Sequence, residues 1–278
     1  MAHLKIGVIG TGNMGTVLLE SWLEAKAITE VDLIITNRTL TKALAIQYHY
    51  KGVTVVNTAA DVARNADAIF VCVKPLEVLR VLQTIKPYIN EDKCVISITS
   101  PISVDQLESQ LDCSCARFIP SITNRALSGV SLLSFGSQCQ SVWKETITAL
   151  ANSMSEAVII ENEITRAASD IVSCGPAFFT YLARKFIDGA VQTTKIDEKT
   201  ASVLTENMLI GLGDLLRKGI YTLPTLQDKV CVKGGITGEG IKILEAETGE
   251  MFEQLFKATN EKFTEDIEEV EKQFRTPY

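Results

Sequence analysis

Histidine is nearly absent from this chain of 278 residues, which contains 2, His3 ahead of the first apolar run and His49 near the end of an expected helix. Neither position suits a catalytic base, which disfavours a serine-histidine-aspartate triad or a histidine proton shuttle. Basic runs are missing as well, and Asp plus Glu outnumber Lys plus Arg by 34 to 27, for a net charge of −7. With no interleaving of aromatic and basic residues, this balance argues against a nucleic-acid partner. No apolar run approaches the ~20 residues that span a bilayer, and no charged leader precedes the first strand, so a cytoplasmic protein with no membrane partner is expected. The 7 cysteines are scattered, and Cys113 with Cys115 is their one close pair. They read as small core residues in a reducing compartment, and no metal is expected.

A hydrophobic share of 46% indicates a folded chain, and the length favours two domains over one. The organising stretch is Lys5 to Gly15. There the run Ile6-Gly7-Val8-Ile9 breaks into Gly10-Thr11-Gly12-Asn13-Met14-Gly15, and Val17, Leu18, Ser21, Trp22 and Ala25 continue the apolar face that Met14 begins on a following helix. A strand turning into a helix through three glycines is a dinucleotide-binding fingerprint. The first glycine tightens the turn, the second admits a pyrophosphate, and the third lets helix and strand pack closely.

The second strand, Asp32 to Thr36, ends in Asn37-Arg38-Thr39. An acidic residue there would bind the ribose 2′-hydroxyl of NAD, whereas a neutral donor and a planar cation suit the 2′-phosphate of NADP. NADPH is therefore the expected cofactor, the plainer alternative being that Arg38 is a solvated residue opening the next helix. Strands are expected at 53–55, 68–73, 93–98, 117–120, 130–135 and 157–160, with helices between them. The alternation implies a doubly wound parallel sheet with its ligand at the carboxyl ends of the strands. Loops containing Val73-Lys74-Pro75, Thr99 and Ser121 would then face the cofactor. Lys74 meets either a phosphate or water, and spacing does not choose between them.

Beyond Glu161 the pattern is helical, which places an NADP-binding Rossmann-like domain at 1–161 and a helical domain at 162–278. Pro176 to Thr193 is apolar around most of its circumference, and Leu204, Met208, Gly211, Leu212 and Leu215 stripe the next helix. Faces that wide suit helices buried on several sides, so a homodimer through this half is expected, with a tight monomeric bundle as the alternative. The fold class is α/β, a Rossmann-like doubly wound sheet followed by an all-helical dimerisation domain.

A second glycine cluster, Lys233-Gly234-Gly235-Ile236-Thr237, precedes another helix, and its amides would receive an anion such as a substrate carboxylate. Thr237 adds a hydroxyl on the first turn, where a capping bond is its plainer role. The stretch Pro224 to Glu245 resembles the signature of pyrroline-5-carboxylate reductases in Gly234, Gly235, Thr237, Gly240, Ile241, Leu244 and Glu245. Gly10 to Gly15, Asn37-Arg38-Thr39, Val73-Lys74-Pro75 and Gly175-Pro176-Ala177 are similar to other motifs of that family. The resemblance implies NAD(P)H-dependent reduction of a cyclic imine carboxylate to proline by a dimer with interleaved helices, often assembled into a higher oligomer. It also implies that Thr237 hydrogen-bonds the ring nitrogen, that amides near Gly235 and Ile236 hold the carboxylate, and that Asn57 lies near the adenosine phosphate. A protonated imine needs no enzyme acid, which fits the scarcity of histidine.

The chain departs from the family pattern at three places. Val232 and Lys233 stand where Ser-Pro precedes the paired glycines, Ser121-Ile122-Thr123 replaces Asn-x-Pro, and Ser100-Pro101 replaces Ala-Gly. By the resemblance all three places fall near the nicotinamide and substrate, and Val232, Lys233 and Ser121 are expected to contact the substrate. These substitutions are similar to the late competence operon (ComER-type) branch of Bacillus-like bacteria. Two other readings stand beside the reductase. One is a β-hydroxyacid dehydrogenase relative using Lys185 as acid and base, which the Gly-Gly-x-Thr signature opposes. The other is an NADP-binding regulatory or competence-related paralogue with weak or no turnover.

Overall fold

Runs such as Ile6-Gly7-Val8-Ile9, Leu33-Ile34-Ile35-Thr36 and Ala68-Ile69-Phe70-Val71 are apolar almost throughout instead of at alternate positions, the pattern of strands covered on both faces. In the computed structural model, which describes residues 4–275 and therefore leaves His3 outside, each of these runs is a fully buried strand. Among the described residues there are eight strands, β1 (Ile6–Ile9), β2 (Leu33–Thr36), β3 (Thr54–Val55), β4 (Ala68–Val71), β5 (Cys94–Ser97), β6 (Ser114–Ile119), β7 (Val130–Phe135) and β8 (Glu156–Ile159). They form one sheet in the order β3-β2-β1-β4-β5-β6-β7-β8. The chain moves outward in one direction from β1 and then returns to its other side at β4. The crevice beyond the ends of β1 and β4 is therefore the topological switch point.

The first six strands run parallel, as the alternation of strands and helices implies. The sheet is not parallel throughout, because β7 pairs antiparallel with β6. The link between them is short and contains a 3-10 turn, Ile122–Ala126, closed by Leu127 at φ 50. A parallel return needs a dozen or more residues, usually with a helix, and this segment has neither. β8 then lies parallel to β7 because the helix 141–152 makes a full crossover between them.

The helices in chain order are α1 (Asn13–Glu24), α2 (Leu40–His49), α3 (Ala59–Asn65), α4 (Pro75–Ile85), α5 (Val104–Glu108), α6 (Ser141–Asn152), α7 (Thr165–Ser169), α8 (Gly175–Thr193), α9 (Glu198–Arg217), α10 (Leu223–Val230), α11 (Ile236–Thr248) and α12 (Met251–Arg275). No described helix is long and apolar enough to cross a membrane. By proximity of its residues the chain falls into two compact units, 1–176 with 258–278, and 177–257. Position 161, the boundary expected from pattern, lies just past β8, and α7 follows it.

The first unit is held by apolar layers on both faces of the sheet. On one face Trp22 of α1 meets Phe70 at 4.8 Å and Phe118 at 6.3 Å between ring centroids, and its indole Nε1 donates to Leu150 O of α6 at 3.2 Å. One side chain thus joins two helices to two strands. The other face is covered by residues such as Val62, Leu82 and Ile85, and Val270 of α12 packs into the same layer. All seven cysteines are free thiols; five are buried, and Cys174 and Cys231 are half-buried.

The entry to α8 at Gly175-Pro176 is continuous with the turn before it. Asp170–Cys174 forms one wide π turn running straight into the helix. Proline lacks an amide hydrogen and cannot bond the carbonyl four residues back, at Val172. Ser121 Oγ donates to that carbonyl instead, at 2.7 Å. Ser173 Oγ donates to Pro120 O at 2.8 Å, so the π turn is fastened to the end of β6 at two points.

Trp22→Phe removes the indole N–H bond and part of a buried ring. It should lower stability by about 1–3 kcal/mol. A urea midpoint equal to that of the wild type would show that this junction is not a main support of the sheet.

Candidate functional site

The three glycines of the β1–α1 turn meet different surroundings. Gly10 has φ 102, and a Cβ there would lie 2.4 Å from Cys72 O. A Cβ on Gly15 would lie 2.2 Å from Gly10 O. These two positions are closed by the protein's own backbone. A Cβ on Gly12, the N-cap of α1, would meet nothing within 4 Å. The backbone at Gly12 is therefore open to a ligand, at the end of a helix whose first amides lack intrahelical partners.

Asn37 braces this turn. Its Oδ1 accepts from Thr11 N at 3.0 Å, and its Nδ2 donates to Thr39 O at 2.9 Å. Thr36 Oγ1 donates to Val56 O at 2.8 Å, which positions the segment leading to Asn57. Thr11 is buried, and its Oγ1 has no hydrogen-bond partner within the protein.

Gly10, Gly12, Asn37, Arg38, Thr39, Asn57, Val73 and Lys74 together line a cleft of about 560 Å³ at the switch point. Asn13, Met14 and Gly15 form the first turn of α1, and Pro75 opens α4 with Lys74 as its N-cap. Pattern reading alone did not find Lys42, Thr58, Glu77 and Arg80, which also line the cleft. Their one signal is spacing. Lys42 lies one turn after Arg38, and Glu77 and Arg80 lie one and two turns after Lys74.

Thr99 occupies the loop after β5, where its Oγ1 and the Ser97 hydroxyl are 3.0 Å apart. That loop is held by Arg117 of β6, 2% exposed, which donates to Ser100 O at 3.1 Å, Ser134 Oγ at 3.2 Å and Thr165 Oγ1 at 2.6 Å. Burial pulls the guanidinium down to about 10, although a cation with neutral partners remains the form present at neutral pH. Ser121 accepts from Thr123 N and donates to Val172 O, so its hydroxyl fastens the loop after β6. Arg125 on the same loop pairs with Glu20 and Glu24 of α1, and the Glu24 carboxylate beside it raises its pKa.

Of the residues expected to hold substrate, Ser121 lies in the first compact unit and the others in the second. Gly234 has φ 77, and Gly235 caps α11 after its N–H bonds Val232 O at 2.9 Å. Ile236 is 93% exposed, Val232 and Lys233 are exposed, and Thr237 lies in the first turn. Thr237 also borders an apolar cavity of about 780 Å³ walled by α9 and α10, with Met208, Leu212, Leu215 and Leu226 on its lining.

Comparison with known proteins finds a family for each part of the chain. Residues 5–101 match the family described as NADP oxidoreductase coenzyme F420-dependent, and residues 162–266 match pyrroline-5-carboxylate reductase dimerisation. The chain is 50% identical to ComE operon protein 4 of Bacillus subtilis (strain 168), over 98% of this chain and 99% of that protein. It is 28% identical to pyrroline-5-carboxylate reductase 3 of the same organism, over 97% and 99%. The chain belongs to the pyrroline-5-carboxylate reductase family. The first of these relatives bears out the kinship with the competence-operon branch. Among solved structures, pyrroline carboxylate reductase of Plasmodium falciparum, crystallised with NADP bound, superposes with a TM-score of 0.84 at 22% identity, covering 96% of this chain and 99% of that one. It supports the fold, a Rossmann-like domain followed by a helical dimerisation domain.

The family is one of NADP-dependent oxidoreductases, and the cleft fits that cofactor. The backbone is open above Gly12, the buried Thr11 hydroxyl is unpartnered, and four cations, Arg38, Lys42, Lys74 and Arg80, border the space.

Two glycine variants test this arrangement. Gly15→Ala forces a Cβ onto the Gly10 carbonyl and should cost about 1–3 kcal/mol of stability together with cofactor affinity. Gly12→Ala should fold within about 0.5 kcal/mol of the wild type and yet bind NADPH at least ~10-fold more weakly, a loss of ~1.4 kcal/mol. Undiminished NADPH binding by Gly12→Ala, measured by fluorescence titration, would remove the pyrophosphate from this position.

Proposed function

We propose that this protein is an NADPH-dependent reductase of a cyclic imine carboxylate, turning 1-pyrroline-5-carboxylate into L-proline in the cytoplasm. The observation that carries the reading is the start of α11. Gly234 in the left-handed region and Gly235 as N-cap expose the first-turn amides, and Thr237 adds a hydroxyl beside them. In this reading the amide of Ile236 and its first-turn neighbours hold the carboxylate at the positive end of the helix, the Gly235 amide itself being taken by Val232 O. The Thr237 hydroxyl hydrogen-bonds the ring nitrogen.

In the other unit the backbone at Gly10 and Gly12 receives the pyrophosphate, Arg38 the 2′-phosphate, and Asn57 lies near the adenosine. Val73, Lys74, Pro75 and Thr99 border the remainder of the dinucleotide. NADPH supplies a hydride when bound. The imine carries its own proton, so the residues of this chain orient and desolvate the reactants and no side-chain acid is required. Effective positioning of this kind removes several kcal/mol from a barrier, on the order of 7–11 in favourable cases.

We propose a homodimer, or a higher oligomer built from it, as the working form. Phe179, Phe186, Leu204 and Met208 of α8 and α9 are between 50% and 66% exposed in a single chain. Large apolar side chains clustered at that exposure mark an interface more often than a free surface. A second reading is favoured by Val232 and Lys233, which stand where the family carries serine and proline. It is an NADP-binding regulatory protein whose turnover is weak or lost.

Steady-state reduction of pyrroline-5-carboxylate with NADPH separates the two readings. Activity is expected, below that of a family member with Ser-Pro before the glycines, because one hydroxyl contact to the carboxylate, worth about 1.5–3 kcal/mol, is missing. The double change Val232→Ser and Lys233→Pro should raise kcat/KM, and Thr237→Val should lower it. Tight NADPH binding without reduction, and without gain from the double change, would establish the regulatory reading. Light scattering should find a dimer at sub-micromolar concentration, and an active monomer would refute the interface.

A further inference from the structure

The cleft's charge is mostly positive, and among its described lining residues Glu77 is the one carboxylate. Glu77 stands in the first turn of α4, and its Oε1 accepts from Nη1 of Arg38. Two ordinary roles exist for such a residue. An acid in a first turn favours the helix dipole, and an exposed ion pair contributes little. Neither role requires the carboxylate to border the cleft, or to engage the cation at the end of β2 that the 2′-phosphate would use.

We propose that Glu77 is an internal counter-ion to Arg38 that occupies the guanidinium in place of the 2′-phosphate, so that its carboxylate sets how strongly the site prefers NADPH over NADH. This rests on the reading of the cleft as an NADP site. Arg38's side chain is 86% exposed and Glu77's is 38% exposed, so the pair is largely in water and exchangeable. A phosphate offers the guanidinium a doubly charged, bidentate partner and displaces the carboxylate. Glu77 is then left facing a like charge from a fixed helical position. Both costs fall on the phosphorylated cofactor alone, since NADH neither needs Arg38 nor brings a charge to that point. Glu77 therefore lowers the discrimination that Arg38 creates.

The test is calorimetric titration of the full-length protein with 2′,5′-ADP and with 5′-AMP, which differ only in the 2′-phosphate. Glu77→Gln should tighten 2′,5′-ADP about three- to tenfold, the effect of removing one nearby like charge in water, and leave 5′-AMP within about twofold. Glu77→Ala removes the same charge by a different side chain and should give the same gain. In an Arg38→Ala background the gain should fall by at least half on a logarithmic scale. Equal gains for both nucleotides, or a gain undiminished without Arg38, would overturn the proposal. The wild type reports separately on the underlying reading, since failure to bind 2′,5′-ADP more tightly than 5′-AMP would remove the NADP assignment itself.

Discussion

Much of the nucleotide-binding half depends on an approach of backbone to backbone that leaves no room for a side chain. The β1–α1 turn is pressed against the end of β4, with Gly10 facing the Cys72 carbonyl and Gly15 facing that of Gly10. This contact sets where α1 begins, and α1 in turn delivers Trp22 to Phe70 and Phe118. The position of the helix N-terminus and the packing of the core are thereby one geometric fact. A shift of the turn to make room for a methyl group would displace both the amides and the indole.

The parts legible in the sequence were those governed by local rules. Apolar runs marked the strands and three glycines marked the turn. The reversal at β7 was not legible, because alternation of strands and helices carries no direction. Only the shortness of the link around Ile122–Ala126, with its hydroxyl cap at Ser121, betrays it. In the cleft, the residues of the glycine turn and strand ends could be read from motif spacing, whereas Glu77, Lys42 and Arg80 could not. They face the cleft through the phase of α2 and α4, and helical phase is fixed by packing against the sheet.

The scarcity of histidine is consistent with how the chain divides its labour. Polar groups on the first unit are mostly consumed in holding loops. Arg117 spans from the β5 loop to Thr165, Asn37 ties two strand ends, and Arg125 anchors the β6 loop to α1. Among the described residues, what faces the cleft is open backbone, four cations, neutral polar side chains such as Asn57 and Thr58, and the single carboxylate of Glu77, a surface suited on balance to phosphates. A fold built this way obtains its chemistry from bound groups and asks of its own side chains chiefly position.

Pro176 is usually read as the residue that shapes its own helix, but its larger effect falls on Ser121. Because the proline has no amide hydrogen, the Val172 carbonyl is vacated, and the serine hydroxyl is drawn to it. With any other residue at 176 an amide hydrogen would compete for that carbonyl, and the buried Ser121 hydroxyl would keep only its bonds from Thr123. Serine at one place and proline at the other thus act as a single matched choice. A substitution at either position rewrites the meaning of the other, far away along the chain.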